Sequence, residues 1–311
     1  MKTIVTMTLN PAIDKSSSVA HVVPERKLYC KPPLFEPGGG GVNVSRAIKK
    51  LGGKSLLLYP AGGLTGKRLQ QLLDEEGLDH RPLPIVGMIR ESLVILEEST
   101  GQQYRFGMPG PKLKKIEWES FLQKLAVIAP PPDYVVASGS LLPGVPPDFY
   151  AQVARVGKKK GTKTIVDVSG KALKEALEEG VFLIKPNVRE FRELVGEEIK
   201  EESQIKAEAQ KMVKSGRCEV LVISLGAAGA LAVSEDFAEH ILPPTVPIVS
   251  KVGAGDSMVA GIALSLARGN PLRESVLFGV AAGTAAVMTP GTELCRREDA
   301  ERLFESMIAG A

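Results

Sequence analysis

Four short runs, Tyr134-Val135-Val136-Ala137, Thr164-Ile165-Val166-Asp167, Phe182-Leu183-Ile184-Lys185 and Val220-Leu221-Val222-Ile223, are apolar at almost every position. A strand with one wet face alternates apolar and polar residues. A run without that alternation suits a strand buried on both faces, as in a parallel sheet covered by helices. Helical patterns at 147–160 and 202–215 lie between the runs, so a doubly wound α/β layer is expected. Two early segments break the rhythm. Residues 16–37 contain no good helical pattern, and residues 88–108 read as two strands around a turn at Ser99-Thr100-Gly101. Both are assigned to a small β-sheet lid projecting from a single domain that spans residues 1–311. A surface hairpin without function is the plainer alternative.

Composition narrows the function classes. Hydrophobic residues at 44% and charged residues at 24% suit a folded globular chain. With 39 basic and 36 acidic residues the net charge is +3, too balanced for a nucleic-acid footprint or a membrane-surface patch. The three cysteines, Cys30, Cys218 and Cys295, are odd in number and widely spaced, which disfavours a disulfide framework or a zinc site. The start of the chain is broken early by Asn10-Pro11 and reads as a first strand rather than a signal peptide. A soluble cytoplasmic protein without nucleic-acid or membrane partners is expected.

Several motifs fail on inspection. Residues 61–68 resemble a phosphate-binding Walker loop, but Ala61 replaces its first glycine and Arg68 stands where Ser or Thr should hold magnesium. Gly253-Ala254-Gly255 begins like a dinucleotide fingerprint, yet Met258 occupies the position of its third glycine. His21, His80 and His240 are scattered, leaving little material for a histidine-dependent triad.

Five features survive. Gly253-Ala254-Gly255-Asp256 precedes an apolar helical pattern. Its glycines let successive N–H groups face one point, and a helix N-terminus adds about half an elementary charge there, making an anion cradle. Asp256 beside it can accept a hydroxyl proton. The four glycines Gly38 to Gly41 before a helix suit close approach to a ligand, and Asn43 offers an amide to a polyol alongside the carboxylate of Asp14. Lys185-Pro186-Asn187-Val188-Arg189-Glu190 follows a strand, where ligands of open α/β sheets bind. There Lys185 suits phosphate, and Asn187 and Glu190 offer oxygen ligands of the kind Mg²⁺ takes. Ser224-Leu225-Gly226-Ala227-Ala228-Gly229 follows another strand and could wrap phosphates. Finally, with a four-residue turn at 98–101, Arg105 pairs across from Val94 on the face that also carries Arg90. Two guanidiniums on one side suit a dianionic phosphate. Another turn length would separate them. Each feature also has an ordinary reading, as a turn, a hinge, a helix start or solubilising charge.

In this order, with Ser138-Gly139-Ser140 and Pro143-Gly144 between them, the motifs resemble the ribokinase-like PfkB carbohydrate kinase family from Thr8 to about Arg297. That family's last signature usually reads Asp-Thr-x-Gly-Ala-Gly-Asp. Here Ser250-Lys251-Val252 precede the shared core. Residues 35–41, Tyr104-Arg105-Phe106-x-Met108-Pro109-Gly110, 252–259 and Gly291-Thr292-x-Leu294-Cys295 are similar to the family's minor bacterial 6-phosphofructokinase branch. Thr8-Leu9-Asn10-Pro11-Ala12-Ile13-Asp14 looks more like 1-phosphofructokinase and tagatose-6-phosphate kinase.

The resemblance implies a ribokinase-like βαβ core with a β-sheet lid, a homodimer joined through the lids, and use of ATP and Mg²⁺. It implies that Asp256 is the catalytic base and that backbone amides of Gly253, Ala254 and Gly255 form an anion hole. Asp14, Gly39, Gly40, Asn43, Arg90, Arg105 and Ser140 would hold a sugar phosphate, with Lys27 reaching a phosphate within or across the dimer. Lys185, Asn187, Ser224, Gly226 and Gly229 would contact ATP, with Val280 and Thr284 near the adenine. Glu190 would act on magnesium through water, and a K⁺ site is implied near Ser250, Val252, Ala286 and Gly291. The expected reaction is phosphorylation of the C1 hydroxyl of fructose 6-phosphate, with tagatose-6-phosphate kinase or 1-phosphofructokinase activity as the alternative.

Overall fold

The computed structural model describes residues 2–196, 199 and 201–309. Its strands are β1 (Ile4–Met7), β2 (Ala12–Val19), β3 (Leu34–Gly38), β4 (Leu56–Ala61), β5 (Asp79–Pro84), β6 (Arg90–Glu97), β7 (Gln103–Gly107), β8 (Tyr134–Ser138), β9 (Lys163–Asp167), β10 (Val181–Ile184), β11 (Cys218–Ser224), β12 (Ala230–Val233) and β13 (Ala238–Ile241). The helices are α1 (Gly40–Lys50), α2 (Gly63–Glu75), α3 (Lys115–Val127), α4 (Phe149–Lys159), α5 (Gly170–Glu179), α6 (Val188–Val195), α7 (Glu202–Lys214), α8 (Ala254–Arg268), α9 (Leu272–Val287) and α10 (Arg297–Ala309).

The four apolar runs become β8 to β11 of a nine-stranded sheet ordered β13-β12-β11-β10-β9-β8-β1-β4-β5. Side chains of a strand point alternately to its two faces. In β8, Val135 and Ala137 join the core shared with α2 to α7, while Tyr134 and Val136 join the core shared with α1, α8, α9 and α10. Both destinations are dry, which is why the runs carry no alternation. From β11 to β5 the strands are parallel, as the pattern predicts. The antiparallel edge strands β12 and β13 were not foreseen. A 3₁₀ turn at Gly226–Ala228 reverses the chain directly after β11, with no crossover that could return the next strand parallel.

The second sheet has the order β3-β2-β6-β7. It begins at Ala12, earlier than the expected residue 16, because only residues 8–11 separate it from β1. Residues 20–33 form no strand. The hairpin register pairs Val94 with Arg105, as the four-residue turn requires. Gly39 caps α1 with φ +103°, a backbone that L side chains rarely adopt. A Cβ at Gly41 would run into the Met7 carbonyl. The glycine run therefore lets α1 start directly against the end of β1, beside the crossing into the small sheet. Among the described residues no helix is long and apolar enough to cross a membrane.

Candidate active site

The predicted residues gather where parallel strands end and the small sheet overhangs them. Two cavities meet there, of about 790 Å³ and 460 Å³, and Asp256 lines both. It sits in the first turn of α8, after Gly253 caps the helix in the left-handed region at φ 73°. The first helical N–H groups have no partner inside the helix. The amides of Ala254, Gly255 and Asp256 thus add positive potential beside the Asp256 carboxylate.

Asn43, on the first turns of α1, donates from Nδ2 to Asp256 Oδ2 at 2.9 Å. Its own Oδ1 is buried with no hydrogen-bond partner, an acceptor that awaits a donor. Burial pushes the Asp256 carboxyl up to about 6, and the nearby Asp167 carboxylate pushes the same way. The Asn43 amide and the Lys185 ammonium pull against this without cancelling it. Asp256 is thus a carboxylate poised near neutrality, in reach of both cavities.

The larger cavity is lined by Gly40, Ser140, Lys185, Asn187, Glu190, Ser224 and Gly255. Lys185 follows β10, is buried, and pairs with Asp167 at 3.3 Å. Burial pulls its pKa down, but Asp167 and Asp256 outweigh that, so the net shift is upward and the ammonium is retained. Asn187 caps α6. Glu190 N–H donates to Asn187 Oδ1, and Asn187 N–H donates to Glu190 Oε2, both at 2.9 Å. The pair is therefore an ordinary capping box and a cavity wall at once. Among the described residues no group of three or more acidic, His or Cys side chains is gathered as a metal cluster. Besides Asp256, two carboxylates in the wall, Asp167 and Glu190, suit magnesium, which takes one or two carboxylates plus substrate phosphates and keeps several waters.

The smaller cavity is lined by Asp14, Gly39, Asn43, Arg90 and Arg105. Burial pushes the Asp14 carboxyl up against the pull of Arg90, and burial pulls the Arg90 guanidinium down. Asp14 on β2 and Arg90 on β6 come from the lid, as does Arg105 on β7, so the sheet brings one carboxylate and two guanidiniums to one wall.

Of the other predicted residues, Val252 lines the smaller cavity and the following lie apart from both linings. Lys27 is exposed, with its ammonium 5.1 Å from the Tyr29 ring centre. Val280 is buried in the core behind α8, and the Thr284 hydroxyl donates to its carbonyl at 2.8 Å. Gly226 opens the 3₁₀ turn after Ser224, and Gly229 caps its end. The Ser250 hydroxyl donates to the Gly291 carbonyl at 3.1 Å and accepts from Val252 N–H at 3.2 Å. Ser250 N–H donates to the Val287 carbonyl at 3.2 Å, next to Ala286, whose carbonyl accepts from the Thr289 hydroxyl at 2.9 Å. This group offers only oxygen donors, chemistry that suits a potassium ion.

Asp167 escaped the sequence reading. Its signal is a charged residue closing an apolar strand, much as Lys185 follows the next one, and the strand pattern absorbs it.

A model of the pfkB family of carbohydrate kinases matches residues 6–299. A Mycobacterium tuberculosis protein named ATP-dependent 6-phosphofructokinase isozyme 2 is 46% identical over 302 residues, covering 97% of this chain and 89% of that relative. The Escherichia coli phosphofructokinase-2 structure in complex with fructose-6-phosphate has a TM-score of 0.94 at 39% identity, covering 99% of this chain and 100% of that one. The same enzyme in complex with potassium has a TM-score of 0.95 at 40% identity, with the same coverage.

Proposed function

Since the chain belongs to the pfkB family of carbohydrate kinases, we propose that it transfers the γ-phosphoryl group of ATP to the C1 hydroxyl of fructose 6-phosphate, giving fructose 1,6-bisphosphate and ADP. The observation that carries this reading is the single carboxylate, Asp256, shared by two adjoining cavities. One cavity holds the donor and the other the acceptor, so the reacting atoms meet at Asp256.

In the smaller cavity Arg90 and Arg105 hold the 6-phosphate, each able to bind it with two parallel N–H donors. Asp14 and Gly39 hold sugar hydroxyls there, and Gly40 and Ser140 reach the sugar from the wall of the larger cavity. Asn43 accepts a sugar hydroxyl at its orphaned Oδ1 while its Nδ2 steadies Asp256. Asp256 removes the C1 hydroxyl proton as the oxygen attacks the γ-phosphorus. In the larger cavity Lys185 meets the phosphates and Asn187 and Ser224 support them, while Gly226 and Gly229, on the turn after Ser224, continue the ATP contact outside that lining. The amides of Gly253, Ala254 and Gly255 face the charge on the transferring group, where most phosphoryl-transfer catalysis lies. Magnesium, held through Glu190 and Asp167, would neutralise charge on the phosphate oxygens. Potassium at Ser250, Val252, Ala286 and Gly291 would steady the loops behind the α8 N-terminus. The lid closes over the sugar and excludes water. The reaction is assigned to the cytoplasm, where ATP is available.

ADP release with fructose 6-phosphate, tagatose 6-phosphate, fructose 1-phosphate, ribose and adenosine tests the reading. Fructose 6-phosphate is expected to give the highest kcat/KM, and preference for an unphosphorylated acceptor would overturn it. Replacing Arg90 and Arg105 together by alanine is expected to raise KM for fructose 6-phosphate at least tenfold. An unchanged KM would remove the phosphate clamp.

The lid also carries exposed Tyr29, Leu34, Phe106 and Met108, which we read as a homodimer face, with Lys27 reaching a phosphate within or across the pair. Leu34→Asp is expected to shift sedimentation to the monomer, and an unshifted dimer would remove this assignment.

A further inference from the structure

Asn10 lies in the short crossing between β1 of the large sheet and β2 of the lid. Its amide spans the two bodies. Nδ2 donates to Ser140 Oγ at 2.9 Å, on the loop after β8. Oδ1 accepts from Arg90 Nε at 3.0 Å, on the first residue of β6 in the lid. The Asn10 backbone carbonyl faces Arg90 Nη2 at 3.5 Å, and Arg90 Nη1 donates to Ser92 Oγ at 3.1 Å. Gly110, where the chain leaves the lid, packs on the same amide, since a Cβ there would stand 2.6 Å from Asn10 Oδ1.

We propose that Asn10 is the positioning residue that sets the plane of the Arg90 guanidinium and ties it, through Ser140, to the large sheet. This rests on the reading of Arg90 as a sugar-phosphate ligand. A free arginine side chain samples many rotamers, and binding a phosphate through two parallel N–H groups fixes them all. Asn10 fixes the guanidinium before the ligand arrives. Three contacts, to Asn10 Oδ1, the Asn10 carbonyl and Ser92, engage one N–H each and leave two of the five donors for a ligand. The amide does this without charge. A carboxylate at the same place would hold the guanidinium equally well but cancel the charge that attracts phosphate. Asparagine therefore orients Arg90 while leaving it cationic, and the partner of its other end, Ser140, lies in the wall of the larger cavity. Phosphate recognition in the lid is in this way referenced to the body that holds the nucleotide.

The test is steady-state kinetics of the full chain with Asn10→Ala, Asn10→Asp, Arg90→Ala and the double variant Asn10→Ala with Arg90→Ala. Asn10→Ala is expected to raise KM for fructose 6-phosphate about tenfold, the size of a lost hydrogen bond to a charged group, with kcat within about threefold and KM for ATP unchanged. Asn10→Asp is expected to raise it further. In the Arg90→Ala background, Asn10→Ala is expected to add nothing, an epistasis that a general weakening of the fold would not give. An unchanged KM, an equal loss in kcat alone, or fully additive effects in the double variant would overturn the proposal. Should the alanine variant fail to fold, Asn10→Asp, which keeps the side-chain shape, decides the matter: a wild-type KM overturns it. Loss of the underlying reading shows separately, because wild-type enzyme would then fail to phosphorylate fructose 6-phosphate at all and both statements would fall together.

Discussion

Asp256 combines two properties that oppose each other in an ordinary carboxylate, a raised pKa and a hydrogen bond that favours the charged form. Burial wins, so the group titrates near 6 instead of at its usual 3.8. A base must be deprotonated to act, so kcat/KM for the sugar phosphate is expected to fall below about pH 6 and to level off above it. Asp256→Asn is expected to lower turnover 10²–10⁴-fold, the range for loss of a general base. The same variant should stabilise the protein. Between about pH 4 and 6 the folded chain keeps a proton that the unfolded chain releases, so above that window the charged carboxylate is a cost to the fold. A higher melting temperature for Asp256→Asn at pH 8, with the gain closing as pH falls towards 4, is the expected result. A variant less stable than wild type at pH 8 would count against the buried charge.

At the scale of elements, α1 shows why a glycine run can be structural and functional together. Its first turn touches the end of β1, and the Met7 carbonyl leaves no room for a side chain at Gly41. Gly41→Ala is expected to cost about 1–3 kcal/mol in urea denaturation, the usual penalty for forcing atoms into a packed site. The start of α6 makes a similar point. Asn187 and Glu190 close a capping box and also line the larger cavity, so the helix start and the cavity wall are one construction. Strands β8 to β11 were legible because burial on two faces leaves a run without polar positions. The reversal into β12 was not, because a 3₁₀ turn at Gly226 resembles any glycine-containing loop until its neighbours are placed.

Across the whole molecule, the lid and the large sheet are joined by more than the chain. Arg46 of α1 is buried and donates from Nε to both oxygens of Glu76 at 2.9 Å, after α2. It also reaches the Pro37 carbonyl at 3.0 Å and the Thr292 carbonyl at 3.2 Å, and pairs with Glu36 of β3 at 3.2 Å. The Thr292 hydroxyl closes the ring by donating to Glu36. A lid strand, two core helices and the loop behind the α8 N-terminus thus share one cation. Arg46→Ala leaves Glu36 without its charge partner and is expected to cost about 3 kcal/mol by denaturant unfolding, as for other broken buried pairs. A loss under 1 kcal/mol would mean that water replaces the guanidinium.

The sequence by itself determined the strand runs, the glycine-rich turns and the arginine pair on one hairpin face, because periodicity and turn chemistry act between near neighbours. The register of Val94 against Arg105 belongs here, since it depends only on the length of one turn. Tertiary structure decided the rest. Asn43 and Asp256 are 213 residues apart in the chain, and Arg46 and Thr292 are 246 apart. Neither contact has any local signal. The raised pKa of Asp256, the pairing of Asp167 with Lys185 and the clasp of Asn10 on Arg90 exist only once distant segments are packed together. Burial and charge proximity are properties of that packing, and no window of sequence contains them.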